Sequence, residues 1–336
     1  MRLHLVLPGL IANSAQQSAP RLVMPALAAL CARGKLAWQP AQAPERWLAQ
    51  AFGLDPARAP YAALRANGDG LDAGAAEWLA ADPAHLMFFH EHLVLSHAPD
   101  LSADDAQALL AALNAEFADL GHFEYGAPAR WYLRLAQRAD LACATRSEAA
   151  SRRASRSLPE GRDGPAWRRA MNEIQMLLFD HPVNRAREER GQPAVNTVWF
   201  WGAGALDTPV RAPAAAVLAL DPLAQGLARR AGAHCAAPPD DAQALDLSRD
   251  SLLWLDQLAL PAETNDQNAW TEALAKIERD WLAPALAMLQ RGKIHHLQLT
   301  CLGDGGTLAL HTDRMASLKL WRKYSGSLPP TAPAAE

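Results

Sequence analysis

The spacing of apolar positions changes from segment to segment, and each change predicts an element. Residues 3–7 form a short apolar run that ends at Pro8-Gly9, the pattern of a buried strand entering a turn. Residues 24–33 carry apolar side chains at helical spacing, with Pro25 in the first turn and Gly34 as the stop. A short helix is predicted at about 46–52. Ser102 opens an amphipathic helix whose apolar stripe runs to Phe117, and Ser102-Ala-Asp-Asp105 resembles a capping box with Asp in place of Glu. Residues 123–125 and 130–135 read as two strands. Residues 147–165 are rich in Ser, Arg and Gly without periodicity and read as an exposed loop carrying Arg152, Arg153, Arg156 and Arg162.

Residues 167–179 form an amphipathic helical pattern. From about 195 onward strands (196–201, 251–255, 294–301) alternate with helices (222–231, 270–289), which predicts a mostly parallel sheet flanked by helices. The expected organisation is a discontinuous α/β domain at 1–57 and 166–336, a smaller α+β insert at 58–146, and the loop 147–165. Sites in parallel sheets lie at the carboxyl ends of the strands. That points to Pro8-Gly9, Gly202 to Gly204, the segment after Asp256, and Gly303 to Gly306.

Hydrophobic residues make up 50% of the 336 positions and charged ones 20%, which supplies a packed core and excludes wholesale disorder. No apolar run approaches the roughly 18 residues of a membrane span. A net charge of -4 argues against a dedicated nucleic-acid binder. The N-terminus has no small-residue cleavage site, so a strand is expected there rather than a signal peptide. The scattered cysteines Cys31, Cys143, Cys235 and Cys301 read as isolated reduced thiols of a cytoplasmic protein.

One stretch is dense in chemistry-bearing residues: His181-Pro182-x-Asn184-x-x-Arg187, then Gly191-x-Pro193-Ala194-x-Asn196, then a strand ending Trp199-x-Trp201-Gly202-x-Gly204. It resembles the corresponding segment of archaeal-type cofactor-independent phosphoglycerate mutases, which belong to the alkaline phosphatase superfamily. Leu64-Arg65-Ala66-Asn67 resembles that family's R-x-N strand, 125–135 its YRH region, Gly226-Leu227-Ala228 its glycine-containing helix, and Lys276-Ile277-Glu278-Arg279 its IER helix. The chain is also similar to a bacterial group named RpfE-type regulatory proteins. The shared residues are Trp78-Leu79-x-x-Asp82-Pro83-x-His85-Leu86, Leu113-Asn114-x-x-Phe117, Arg130-Trp131-Tyr132 and Trp321-Arg322.

The resemblance implies a two-domain phosphatase-like fold, two divalent metals (Mn or Zn) held by Asp and His, and a Ser nucleophile. The residues depart from it. Pro8 stands where the family has a metal-binding Asp, Ala262 falls in the next ligand segment, and Gly305 replaces the His of a D-H-G motif after Asp304. No nucleophile segment follows Gly34. What remains is a set that holds oxyanions: Arg65, Asn67, Arg130, Asn184, Arg187 and Asn196, with Gly202 and Gly204 as a phosphate-loop signal. The alternative to an anion pocket is that these residues hold turns and ion pairs.

His181 is a candidate acid/base. His295 and His296 alternate faces on a strand and cannot chelate together. His90 and His92 would share a strand face but have no third ligand in the sequence pattern, and His311-Thr-Asp313 has the same weakness. The expected function is a degenerate phosphoglycerate-mutase-like protein without the two-metal site. It would bind a small phosphorylated or carboxylate ligand, or a protein partner, in a regulatory role. The alternative is an active metal-dependent mutase or phosphatase with ligands shifted to Asp256, Asp266, Asp304 and His311, and His181 and Asp304 as catalytic candidates. A nucleic-acid contact through the arginines of 152–169 is a third reading, against which the net acidity counts.

Overall fold

The computed structural model describes residues 1–11, 23–89, 92–97, 100–150 and 158–324. In chain order the strands are β1 (Arg2–Pro8), β2 (Lys35–Gln39), β3 (Trp78–Phe89), β4 (His92–His97), β5 (Gly121–Ala127), β6 (Arg130–Leu135), β7 (Thr197–Gly204), β8 (Ala216–Leu218), β9 (His234–Ala236), β10 (Ser251–Trp254), β11 (His296–Gly303) and β12 (Gly306–Asp313). The helices are α1 (Pro25–Arg33), α2 (Pro44–Ala51), α3 (Tyr61–Gly68), α4 (Ala103–Glu116), α5 (Arg146–Ala150), α6 (Gly164–Phe179), α7 (Pro182–Glu189), α8 (Pro222–Arg230), α9 (Ala259–Thr264), α10 (Gln267–Ile277), α11 (Ala283–Gln290) and α12 (Arg314–Ser317). Contacts divide the chain into a unit of Met1–Gly53 with Arg211–Glu336, and a unit of Leu54–Val210.

The first unit holds a seven-stranded sheet in the order β2-β12-β11-β1-β10-β8-β9. The run from β11 to β9 is parallel, and β12 and β2 add an antiparallel edge. Alternation along the strands separates two faces. Leu3, Leu5 and Leu7 of β1, with Leu297, Leu299 and Cys301 of β11 and Leu308 and Leu310 of β12, join Leu27 of α1, Leu274 of α10 and Leu289 of α11 in one buried cluster. The other face carries His4, Gln298, Thr300 and His311 at the intervening positions.

The predicted helix at 24–33 is α1, opened by Pro25 and closed where the Gly34 N–H meets the Leu30 carbonyl. The predicted long helix at 270–289 is α10 and α11 joined through a π turn at Glu278–Leu282. Pro284 has no N–H to continue the α ladder, which accounts for the shift in pairing there. The turn aims the buried Glu278 carboxylate at the start of α1, where it accepts from the N–H groups of Ala26 (2.6 Å) and Leu27 (3.2 Å). A carboxylate so placed satisfies two orphan donors and the positive end of the helix.

The second unit is built on an antiparallel sheet, β4-β3-β6-β5, with β7 pairing along the free flank of β3. This corrects the expectation that the 196–201 strand joins the parallel sheet. An apolar run such as Val198-Trp199-Phe200-Trp201 signals burial on both faces without saying which sheet buries it. Accordingly the contact boundary falls at Val210 rather than at 146, and α6, α7 and β7 lie with the insert. Two further expectations change. The segment around Arg65 and Asn67 lies in α3, where four of its neighbours are buried alanine and leucine, rather than in a strand. Within 147–165, the backbone is tied at both ends: α5 covers 146–150, and Ala142 and Glu160 form a β-bridge. Arg152, Arg153, Arg156 and His90 lie outside the described residues.

Candidate functional site

The carboxyl edge of the seven-stranded sheet is where an open α/β fold binds its ligand. Here it is filled with backbone. Pro8 ends β1 opposite Leu302, and the Gly9 N–H donates to the Leu302 carbonyl at 2.9 Å. Gly9 has φ of +84°, and a Cβ there would stand 2.5 Å from the Leu258 carbonyl oxygen. The Gly9 carbonyl accepts from Trp270 Nε1 at 2.8 Å. Across the edge, the backbone of Ile11 lies on Gly303 where a side chain would otherwise project. Glycine is needed at both places because two main chains approach there.

The candidate metal ligands do not converge at this edge. Asp256 follows β10 and is half-buried, and that burial raises its carboxyl pKa. Asp266 caps α10 by accepting from the Ala269 N–H at 3.0 Å. Asp304 is exposed in the β11–β12 turn, whereas His311 pairs with Gln298 near the amino end of β11. Five residue pairs separate the two, roughly 17 Å along a strand. Among the described residues no three His, Cys, Asp or Glu side chains gather as a metal-binding group. These side chains do not fit a two-metal centre.

The residues expected to hold an oxyanion lie in the second unit, each with an internal partner. Arg65 is buried and forms a two-pronged pair with Asp82, through Nη1 at 2.8 Å and Nη2 at 2.5 Å. Its guanidinium carbon lies 4.7 Å from the Tyr132 ring centroid and 4.8 Å from that of Trp201. Asp82 also accepts from Trp201 Nε1 at 2.9 Å. Burial alone would raise the Asp82 pKa, but the charge of Arg65 and hydrogen bonds from Arg65 and Trp201 outweigh it and hold the carboxyl below its usual value. Beside this pair, Arg130 grips Asp69 at 2.8 and 3.0 Å, and the Tyr132 hydroxyl donates to Asp69 at 2.6 Å.

Asn184 is buried and donates to the carbonyls of Leu178 (2.7 Å) and Val195 (2.8 Å), and its Oδ1 accepts from the Val195 N–H (2.8 Å). Arg187 donates through Nε to the Pro193 carbonyl at 2.9 Å. Asn196 brackets Leu86, accepting from its N–H at 2.7 Å and donating to its carbonyl at 2.9 Å. Asn67 sits in the last turn of α3. His181 caps α7, its Nδ1 accepting from the Val183 N–H at 3.3 Å, and partial burial lowers its pKa. Gly202 and Gly204 have φ of +69° and +152° and pack against Tyr61 and Pro60, which a Cβ at either position would overlap. Close approach of β7 to α3 therefore accounts for both glycines. Gly204 also lines a cavity of about 400 Å³ with Arg58, Arg138 and Asp207.

Of the histidine pairs, His295 Nδ1 accepts from the Met1 ammonium at 2.8 Å, and His296 is exposed at the start of β11. Sequence reasoning did not single out Asp69, Asp82 or Tyr132 as members of one network. Two signals were present: Asp82 is a charge between Ala81 and Pro83, and Asp82 and Tyr132 stand in the motifs at 78–86 and 130–132.

No protein-family model matches the chain. The 2,3-bisphosphoglycerate-independent phosphoglycerate mutase of Methanosarcina mazei is 28% identical over 161 residues, 46% of this chain and 40% of that protein. Its counterpart from Methanosarcina barkeri is 27% identical over 116 residues, 33% of this chain and 29% of that protein. The matched portion thus spans about two fifths or less of those relatives. Among solved structures, the PH0037 protein from Pyrococcus horikoshii superposes with a TM-score of 0.55 at 15% identity, covering 93% of this chain and 87% of that one. A cofactor-independent phosphoglycerate mutase from Thermoplasma acidophilum gives a TM-score of 0.46 at 18% identity, covering 95% and 94%. The chain is a distant homologue of the archaeal-type cofactor-independent phosphoglycerate mutases, with a mixed α/β fold.

Proposed function

We propose that this chain is a degenerate relative of the phosphoglycerate mutases that lacks the two-metal site and serves by binding, in a regulatory role. One observation carries the reading. The carboxyl edge of the sheet, where such an enzyme works, is closed by the main chains of Gly9, Ile11, Leu258 and Gly303, with Pro8 at the position for which the resemblance implies an Asp. Proline offers no ligating side-chain atom, and at Gly9 and Gly303 backbone occupies the space a side chain would take. The regulatory half of the proposal is motivated by the motifs at 78–86 and 130–132, which resemble those of RpfE-type regulatory proteins. The four cysteines are free thiols, which supports a reducing, cytoplasmic setting. No helix among the described residues is long and apolar enough to cross a membrane. Since Arg65, Arg130, Asn184 and Asn196 already have internal partners, the proposal does not assign them an oxyanion.

The test is elemental mass spectrometry of the purified chain after equilibration with Mn and Zn, beside an assay of 3-phosphoglycerate to 2-phosphoglycerate conversion. Essentially no bound metal and no turnover are expected. About two metals per chain, or turnover abolished by Asp304→Ala, would overturn the proposal in favour of an active enzyme with shifted ligands.

A further inference from the structure

One face of the seven-stranded sheet is apolar, and the other sets polar residues among Val6, Leu252 and Trp254 and forms a hollow. Leu252, His4, Gln298 and His311 are in register on four neighbouring strands, so their side chains share that face. Thr300 and Thr307 lie on the same face one and two rows further on. With Trp47 and Gln50 of α2 and Gln39 of β2 they line a cavity of about 380 Å³. On the opposite face these rows carry Leu5, Leu7, Leu253, Leu299, Cys301, Leu308 and Leu310 in the buried cluster. A polar set on one face of a buried sheet needs partners.

The chemistry of the lining is selective. Burial, aided by His311 and Arg2, pushes the His4 pKa down to about 3, so its imidazole is neutral and presents one donor and one acceptor. Its Nε2 is engaged with Thr300 Oγ1 at 2.9 Å. Arg2, at the rim, already faces Asp250: its N–H donates to Oδ1 at 2.7 Å and its Nε lies 3.8 Å from Oδ2. Gln42 donates to Gln50 at 3.0 Å, which leaves each amide further donor or acceptor capacity. Thr307 is 1% exposed, and its hydroxyl has no partner among the described residues. The Trp47 ring stands edge-on to His4 at 5.6 Å and lies 6.0 Å from Trp254, which fixes an aromatic wall.

An oxyanion would call for donors backed by positive charge, and a cation for acceptors alone. This lining offers amides, hydroxyls and a neutral imidazole, donors and acceptors together, with its rim arginine compensated. A sugar hydroxyl both donates and accepts, and the carbon face of the ring is apolar enough to lie on indole. The cavity is at the small end of the about 300–1,000 Å³ of ligand sites. The geometry points to a binding site for one neutral sugar ring, free or as the ribose of a nucleoside, on the polar face of the sheet. This site is separate from the carboxyl edge and does not rest on the proposed loss of metals.

The experiment is saturation-transfer NMR on the full chain with D-ribose, D-glucose and adenosine as separate probes, followed by titration of the best one. Saturation of sugar-ring protons is expected. Ribose or glucose responding identifies a free sugar, and adenosine alone responding through its ribose identifies a nucleoside. Thr307→Val keeps the shape and removes the hydroxyl, and Gln298→Ala removes an amide. Each is expected to weaken binding about tenfold or more, the loss of about 1.4 kcal/mol, with the melting temperature of Thr307→Val no lower than that of the parent. His311→Ala, at an exposed position, is the control that folds in any event and also weakens binding. No saturation from any of the three probes, saturation confined to the adenine protons, or binding unmoved by all three substitutions overturns the proposal.

Discussion

Removal of the Asp82 carboxylate puts the buried Arg65–Asp82 pair of the second unit to the test. Asp82→Ala leaves the Arg65 guanidinium, 6% exposed and held between Tyr132 and Trp201, without a counter-charge, and leaves Trp201 Nε1 without an acceptor. At a charge separation of about 4 Å and an effective dielectric of about 20, the lost attraction is about 4 kcal/mol. The orphaned indole adds about 1–3 kcal/mol, and the carboxylate's own desolvation penalty, no longer incurred, offsets part of the sum. A net loss of about 3–5 kcal/mol is expected, in line with other broken buried pairs. The double variant Arg65→Met with Asp82→Leu removes both charges and fills the same volume, and is expected within about 1 kcal/mol of the parent. Amide hydrogen exchange in β3 and β6, read beside urea unfolding, localises the effect to this unit. The carboxyl is held below its usual value, so the parent's term is present above pH about 3.9 and is lost as pH falls through the lower folded value. A cost below about 1 kcal/mol for Asp82→Ala, or a double variant as unstable as the single one, refutes the reasoning.

Three other outcomes follow from single residues. Asn184→Ala strands the Leu178 and Val195 backbone groups and is expected to cost about 3 kcal/mol, with exchange protection lost first between α6 and β7. Gly9→Ala forces a side chain into positive φ against the Leu258 carbonyl and is expected to cost more than about 2 kcal/mol, seen as a lower melting temperature and loosened amides at 258–264. His4 stays neutral in the folded chain down to about pH 3, while the unfolded chain takes up its proton near 6.5. Stability therefore falls with pH across that window, and His4→Gln is expected to lessen the slope by about 1.4 kcal/mol per pH unit. An unchanged slope between pH 6.5 and 4 in denaturant titrations would contradict the neutral imidazole.

Helical spacing found α1 and α4, and short apolar runs found β1, β5, β6, β10 and β11. Neither pattern settled the surroundings of a segment buried on all sides. The β7 run is apolar throughout, and nothing local distinguishes a parallel neighbour from the antiparallel partner it finds in β3. α3 failed for the same reason, since Ala62, Ala63, Leu64, Arg65 and Ala66 are all buried and leave no polar stripe. At the site level, the loss of a ligand at Pro8 is legible from residue type alone. The distance between Asp304 and His311 is not, because it depends on the hairpin register of β11 and β12.

The density of the motif at 181–204 invites an enzymatic explanation, since bulk packing alone would not require such residues. The hydrogen bonds supply a different account. His181 caps α7, Asn184 ties the end of α6 to the start of β7, Arg187 holds the Pro193 carbonyl, and Asn196 locks β7 to Leu86 of β3. Gly202 and Gly204 then let the end of β7 lie on the start of α3. Each residue type is fixed by a particular donor, acceptor or clearance, and together they carry the chain from a helix pair into the strand that flanks the sheet. A buried backbone group left unpaired costs about 1–3 kcal/mol, which penalises exchange of the buried Asn184 most directly. Each of these residues thus has an internal role in this chain, and a claim of activity has to be argued from the carboxyl edge of the other sheet, where main chain meets main chain.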